Sequence, residues 1–237
     1  MRFQTELVRA TLVRRYKRFF ADCRLEDGRQ VTAHCANTGP MTGLVTPGER
    51  VWLEPNDDPK RKLKYGWRLL QHADGHFTGV DTSVPNRLLK EALAARQVAA
   101  LAAYETVRTE VKYGENSRID FLLSQDGLPD CYVEVKSVTL CRTPGLAEFP
   151  DTVTTRGAKH MGELARVAQA GHRAVVLYLV QRTDCDSFDV ARDLDPGYAA
   201  AHQAATAAGV ETLCLSAHIS PEEITLGPPL ALALRNG

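Results

Sequence analysis

The periodicity of this chain changes once, and that change divides it. Up to about residue 82 there are only short runs of strand-forming residues, at 10–25, 30–34, 50–54, 65–72 and 77–81. Turn signals separate them at Asp27-Gly28, Asn37-Thr38-Gly39, Pro47-Gly48, Pro55 to Pro59 and Asp74-Gly75. Five short strands in so few residues suit a small closed barrel of the oligonucleotide-binding (OB) type. After Ser83-Val84-Pro85 helical spacing takes over: Leu89, Leu93, Val98 and Leu101, among many alanines, predict a helix over about 87–103 with Asn86 as its N-cap. Strands at 106–112, 117–123 and 130–138, a helix at 156–170, an apolar strand at 174–181, a helix at 196–208 and a strand at 210–215 complete the order αβββαβαβ. The expected architecture is therefore an OB-fold-like barrel over residues 1–83 and an α/β domain, a mixed sheet flanked by helices, over 84–237.

The second part carries a chemical pattern. In Tyr132-Val133-Glu134-Val135-Lys136 the charges alternate with valines, so Glu134 and Lys136 share one face of a strand, and Asp120 on the preceding strand can reach that face. An Asp and a Glu suffice to hold Mg²⁺ or Mn²⁺, hard cations that keep several waters and take substrate phosphate as a further ligand. Lys136 would either stabilise developing phosphorane charge or help deprotonate the attacking water. Asp, a hairpin-length gap and Glu-x-Lys match the PD-(D/E)xK nuclease signature, so the domain is expected to be nuclease-like. A surface charge pair would give the same letters. A further acidic metal ligand would be Glu91 on the first helix, which we favour, or Glu110 on the next strand. Arg156, Lys159, His160 and Glu163 share one helix face, so Lys159 and His160, with Arg118, either contact phosphate or form a solvated face. Asp151 is either another ligand or orders the loop between residues 139 and 154.

Longer phrases carry a resemblance. The run from Glu110 through Tyr113-Gly114-Glu115-Asn116 to Asp120, the phrase Tyr132 to Leu140, and Phe149-Pro150-Asp151 followed by Thr155-Arg156-Gly157-Ala158-Lys159-His160 resemble the sugar fermentation stimulation protein A (SfsA) family. So do Arg14-Arg15-Tyr16-Lys17-Arg18-Phe19, the segment from His34 to Gly43, and Pro59-Lys60-Arg61-Lys62. The resemblance implies an OB-type barrel followed by a nuclease-like domain, DNA binding with little sequence preference, and a regulatory role in sugar, notably maltose, metabolism.

Charge is compatible with such a partner. The formal net charge is zero, but residues 1–83 hold 14 Lys and Arg against 10 Asp and Glu, and the remainder 15 against 19. The basic residues cluster at Arg14, Arg15, Lys17 and Arg18 and at Lys60, Arg61 and Lys62, the local density that phosphate binding needs. Read as one strand, the first cluster places Arg15, Lys17 and Phe19 on one face and Arg14, Tyr16, Arg18 and Phe20 on the other. The rings would then either stack on bases or fill the barrel. The loop from His34 to Gly43 would either offer backbone amides to a phosphate or serve as a turn. These features support a nonspecific DNA-binding protein or an active Mg²⁺-dependent endonuclease; a regulator binding a sugar or a protein is a third reading, without a residue behind it.

A hydrophobic content of 44% with 24% charged residues fits a soluble globular protein. No apolar run is long enough to span a membrane, and the opening Met1-Arg2-Phe3-Gln4-Thr5-Glu6 lacks the core of a secretory signal, so a cytoplasmic location with no membrane partner is expected. The six cysteines are scattered without a CxxC and read as reduced small apolar residues. Related nucleases that cut both strands often act as dimers, which makes a homodimer a further expectation.

Overall fold

A computed structural model describes residues 1–114 and 117–234; Glu115 and Asn116 of the phrase noted above lie outside the described residues. The first six strands are β1 (Val8–Tyr16), β2 (Phe20–Leu25), β3 (Gln30–Cys35), β4 (Arg50–Pro55), β5 (Tyr65–Gln71) and β6 (Phe77–Gly79). They are ordered β3-β2-β1-β4-β5-β6, and a parallel pairing of β3 with β5 closes five of them into a barrel. Alternation explains most of this. Ala21, Cys23 and Leu25 of β2 and Ala33 and Cys35 of β3 point inward with Leu12, Leu53 and Trp67, while the intervening residues face solvent. β4 and β5 depart from alternation because both of their faces are covered: Val51, Leu53 and Leu70 fill the barrel, whereas Trp52 and Leu69 pack outward against the second part of the molecule.

One expectation fails here. Residues 10–25 form two strands, not one, because the chain reverses at 17–19: Tyr16 pairs with Phe20, and Lys17 and Arg18 take φ of 48° and 63°. The shared faces predicted for Arg15, Lys17 and Phe19 and for Arg14, Tyr16, Arg18 and Phe20 therefore do not exist. Tight hairpin turns need positive φ, which Gly or Asn usually signals, and here two basic residues adopt it.

The second part continues with α1 (Val84–Ala94), a 3₁₀ turn (Ala99–Leu101), β7 (Thr106–Tyr113), β8 (Ser117–Ser124), β9 (Cys131–Val138), β10 (Leu140–Thr143), β11 (Gly145–Phe149) and α2 (Thr155–Gln169). It ends with β12 (Arg173–Val180), β13 (Cys185–Val190), α3 (Pro196–Ala207), β14 (Glu211–Ile219), β15 (Ile224–Pro229) and β16 (Ala231–Leu232). The main sheet runs β15-β14-β12-β9-β8-β7, with β9, β12 and β14 parallel. β12 reads Arg-Ala-Val-Val-Leu-Tyr-Leu-Val and is buried almost throughout, as a parallel strand covered on both faces must be. Val133, Val175 and Leu177 face α1, and Val176, Tyr178 and Val180 face α2 and α3. The expected helix over 87–103 stops at Ala94, its N-cap is Ser83, and Pro85 lies in its first turn. The segment 139–154, read as a loop, contains β10 and β11, which form a small second sheet with β13 and β16.

The two parts are joined by buried polar contacts. Arg68 on β5 donates to Glu54 on β4 at 2.8 Å and to Asp81 just before α1 at 2.5 Å, and Gly79 N–H donates to the Gln181 carbonyl at 2.9 Å. Cys23, Cys35, Cys131 and Cys214 are buried in the three cores as small apolar side chains. No helix among the described residues is long and apolar enough to cross a membrane.

Burial also gives the fold a pH dependence. His202 on α3 is 6% exposed with Nε2 3.0 Å from Thr212 Oγ1, and desolvation lowers its pKa below the ordinary 6.5; His72 is lowered for the same first reason. Unfolding therefore takes up protons, so their stabilisation is full above pH 6.5 and is lost as pH falls toward the folded-state values. Urea denaturation is expected to lose more stability between pH 7 and pH 5 in the wild type than in His202→Gln.

Candidate metal and nucleic-acid site

Asp120 and Glu134 come together because β8 and β9 are paired antiparallel just beside them, Phe121 opposite Val133. Asp120 accepts from the Val135 backbone N–H at 2.7 Å through Oδ2 and from Asn86 Nδ2 at 2.7 Å through Oδ1. Glu134 is 3% exposed; its Oε1 accepts from Lys136 Nζ at 2.7 Å and from His160 Nδ1. Arg156 Nε donates to His160 Nε2 at 3.3 Å, which makes Nδ1 the protonated nitrogen, facing Glu134. These groups open into a cleft of about 410 Å³, whose rim carries Arg118, Arg156 and Lys159.

The two carboxyls are driven apart electrostatically. Burial, then the Glu134 charge, push Asp120 up in spite of its two hydrogen bonds. Burial also pushes Glu134 up, but the hydrogen bond from His160 and the Lys136 charge outweigh it and hold the group below its usual range. The second Glu134 oxygen, Oε2, is buried with no hydrogen-bond partner among the described residues. An unpaired anionic oxygen in such a place is costly unless a cation or a water meets it. Among the described residues no three His, Cys, Asp or Glu side chains form a protein-only cage. Asp120 and Glu134 are the carboxylates that could hold a hard cation such as Mg²⁺ or Mn²⁺, with water and substrate oxygens completing its shell.

The predicted residues divide clearly. Asp120, Glu134, His160, Arg118 and Lys159 all line this cleft, whereas Lys136 is paired with Glu134 behind it and lines a neighbouring cavity with Asn37, Thr139 and Asp151. Glu91 is not at the cleft: it is exposed on α1 and pairs with the amino terminus at 3.3 Å, while Glu110 lines the cleft instead. Asn86, read as a helix cap, is the α1 side chain that reaches Asp120. Asp151 does not line this cleft; burial pushes its carboxyl up, while its own backbone N–H and that of Met41, which ties it to the 34–43 loop, act the other way.

The barrel cations are less uniform than their letters. Arg14 pairs with Asp22 at 2.8 Å and lies over the Tyr16 ring, and Arg15 donates to the carbonyls of Arg18, Asn37 and Gly39, tying the hairpin to the 34–43 loop. Lys17 and Arg18 project from the turn beside Phe19, whose ring is 46% exposed and stacks on His34. His34 shares a shallow basin with Arg61 and Lys62, and Lys60 is exposed next to them. If these cations meet a nucleic-acid backbone, alanine at Lys60, Arg61 and Lys62 is expected to flatten the salt dependence of that binding by about 0.9 for each phosphate that is no longer neutralised. Arg15→Ala is expected to leave that slope and instead speed amide exchange in the 34–43 loop.

A closed five-stranded OB-type barrel followed by a mixed α/β domain with Asp120 and Glu134 at its cleft defines the class of this fold. The family model described as the sugar fermentation stimulation protein RE domain matches residues 83–223, and the SfsA N-terminal OB domain matches residues 13–80. The sugar fermentation stimulation protein homologs of Ruegeria pomeroyi and Roseobacter denitrificans are 70% and 68% identical, covering 97% and 99% of this chain and 100% of each relative. The structure of Pyrococcus furiosus SfsA in complex with Ca²⁺ is similar with a TM-score of 0.87 at 26% identity, over 98% of this chain and 97% of that one. The chain belongs to the sugar fermentation stimulation protein (SfsA) family.

Proposed function

We propose that this protein binds the sugar–phosphate backbone of DNA with little regard to sequence, and that its cleft holds Mg²⁺ or Mn²⁺ between Asp120 and Glu134. The observation that carries the reading is the buried, unpartnered Oε2 of Glu134 beside Asp120, in a cleft rimmed by Arg118, Arg156 and Lys159. Buried acids inside a basic rim are what a phosphodiester and a bridging cation require together. The Ca²⁺ complex of the Pyrococcus furiosus relative supports a divalent-cation site. The family's name supports a place in sugar metabolism, and regulation of maltose use belongs to this proposal.

A second reading, phosphodiester hydrolysis, is favoured by Lys136. The residue is 9% exposed and its Nζ lies 2.7 Å from Glu134 and 3.3 Å from His160 Nδ1, so a phosphoryl oxygen brought against Glu134 would have this ammonium as the nearest buried cation to stabilise its developing charge. His160, fixed by Arg156, keeps Glu134 ionised. A bound cation would supply Lewis-acid polarisation and a water of lowered pKa. Arg118 and Arg156 would orient the backbone. The test is incubation of wild type and Asp120→Ala with plasmid, linear, single-stranded and branched DNA, in Mg²⁺, Mn²⁺ or chelator. Cutting that needs metal and Asp120 establishes an enzyme; salt-sensitive binding without cutting establishes the DNA-binding reading alone; neither binding nor cutting removes both.

A further inference from the structure

Glu163 is the most anomalous charged residue behind the cleft. Its side chain is fully buried on α2, and neither carboxylate oxygen has a hydrogen-bond partner among the described residues. The backbone at Gly114 closes over it so tightly that a side-chain carbon there would sit 3.1 Å from Glu163 Oε1. Its ion pair is with Lys159, one helical turn earlier, whose Nζ is 3.7 Å from Oε1. Lys159 itself is 53% exposed and lines the rim of the Asp120–Glu134 cleft.

An ordinary surface pair does not explain this arrangement. A lysine four residues before a glutamate is the weaker orientation on a helix, and exposed pairs of this spacing contribute little. Burying one partner completely adds a desolvation cost that a side chain such as methionine would avoid, so stability alone favours an apolar residue at 163. What a buried anion does supply is a fixed electrostatic anchor beneath a flexible ammonium.

We propose that Glu163 is a positioning residue, holding the Lys159 ammonium at the cleft rim where it meets a backbone phosphate of the bound strand. This rests on the DNA-binding reading given above. Lys159 contacts the ligand, and Glu163 acts through it.

The test is DNA affinity measured across a series of salt concentrations for wild type, Lys159→Ala, Glu163→Gln, Glu163→Met and the double variant Lys159→Ala/Glu163→Gln. Each single variant is expected to lower the salt slope by about 0.9, the value of one neutralised phosphate, and the double variant to lower it no further than either. Glu163→Met needs no partner and is expected to keep the fold, which separates anchoring from folding. A wild-type slope in both Glu163 variants, while Lys159→Ala reduces it, overturns the inference and leaves DNA binding intact. Additive reductions in the double variant overturn it equally. Failure of the wild-type protein to bind DNA overturns the underlying reading, and this one with it.

Discussion

Glu134→Gln is expected to lower any metal-dependent turnover of DNA by on the order of 10²–10³-fold or more, the scale seen when one preorganised charge-stabilising group is removed from a reacting centre. The amide keeps the shape of the side chain and removes its charge, so a cation held there would lose an anionic ligand while the cleft keeps its walls. A second consequence is specific to this site. Lys136 is 9% exposed and its ion-pair partner is Glu134, with His160 converging on the same oxygen. The variant leaves that ammonium buried without its hydrogen-bonded counter-charge, with only the Asp120 carboxylate acting on it from further off, and breaking a buried pair in this way typically costs up to about 3–5 kcal/mol. Glu134→Gln should therefore also be less stable to urea, and Glu134→Gln/Lys136→Met, with both charges gone, should recover much of that stability without recovering turnover. Turnover retained within tenfold of wild type would place the chemistry elsewhere.

Arg68→Ala is expected to destabilise the protein by about 3–5 kcal/mol. The guanidinium joins Glu54, 7% exposed, to Asp81, 4% exposed, and each carboxylate holds a further segment. Glu54 Oε1 accepts from Gln4 N–H at 2.7 Å, and Asp81 Oδ1 accepts from the backbone N–H and hydroxyl of Ser83 at 2.9 and 2.7 Å. One side chain thus connects the amino-terminal segment, two barrel strands and the start of α1. Removing it leaves Glu54 buried without its counter-charge and Asp81 with only the more distant Arg87, 3.6 Å away. Because α1 carries Asn86, which fixes Asp120, cation affinity should fall along with stability. Arg68→Lys keeps the charge but not the forked geometry and should lie between. Urea denaturation checks this, and a loss under about 1 kcal/mol would mean that the network behaves as a surface pair.

How much of this was legible in the letters depends on which physical signal each residue leaves. Alternation is robust in a half-buried strand, so Glu134 and Lys136 could be assigned one face, and helical spacing put His160 beside Lys159. The two-part organisation was legible because turn residues give way to helical periodicity at Ser83-Val84-Pro85. What escaped was tertiary. Lys17 and Arg18 carry no turn signature, so the hairpin between β1 and β2 read as one strand. Arg15 looks like its neighbours, yet three carbonyls from the turn and the 34–43 loop determine its role. Glu91 and Asn86 occupy the same helix, and only the packing of α1 on the sheet decides that the asparagine faces Asp120 and the glutamate the amino terminus. β10 and β11 are short, and the pairing of β11 with β13 is non-local, which no window of sequence displays.

The central claim is that Asp120 and Glu134 together hold a divalent cation. Its most direct test is calorimetric titration of Mn²⁺ into metal-free wild type, Asp120→Ala and Glu134→Gln, without DNA. Saturable binding in the wild type that is lost in both variants is the expected result. Equal binding in all three proteins, or none in the wild type, would contradict the account.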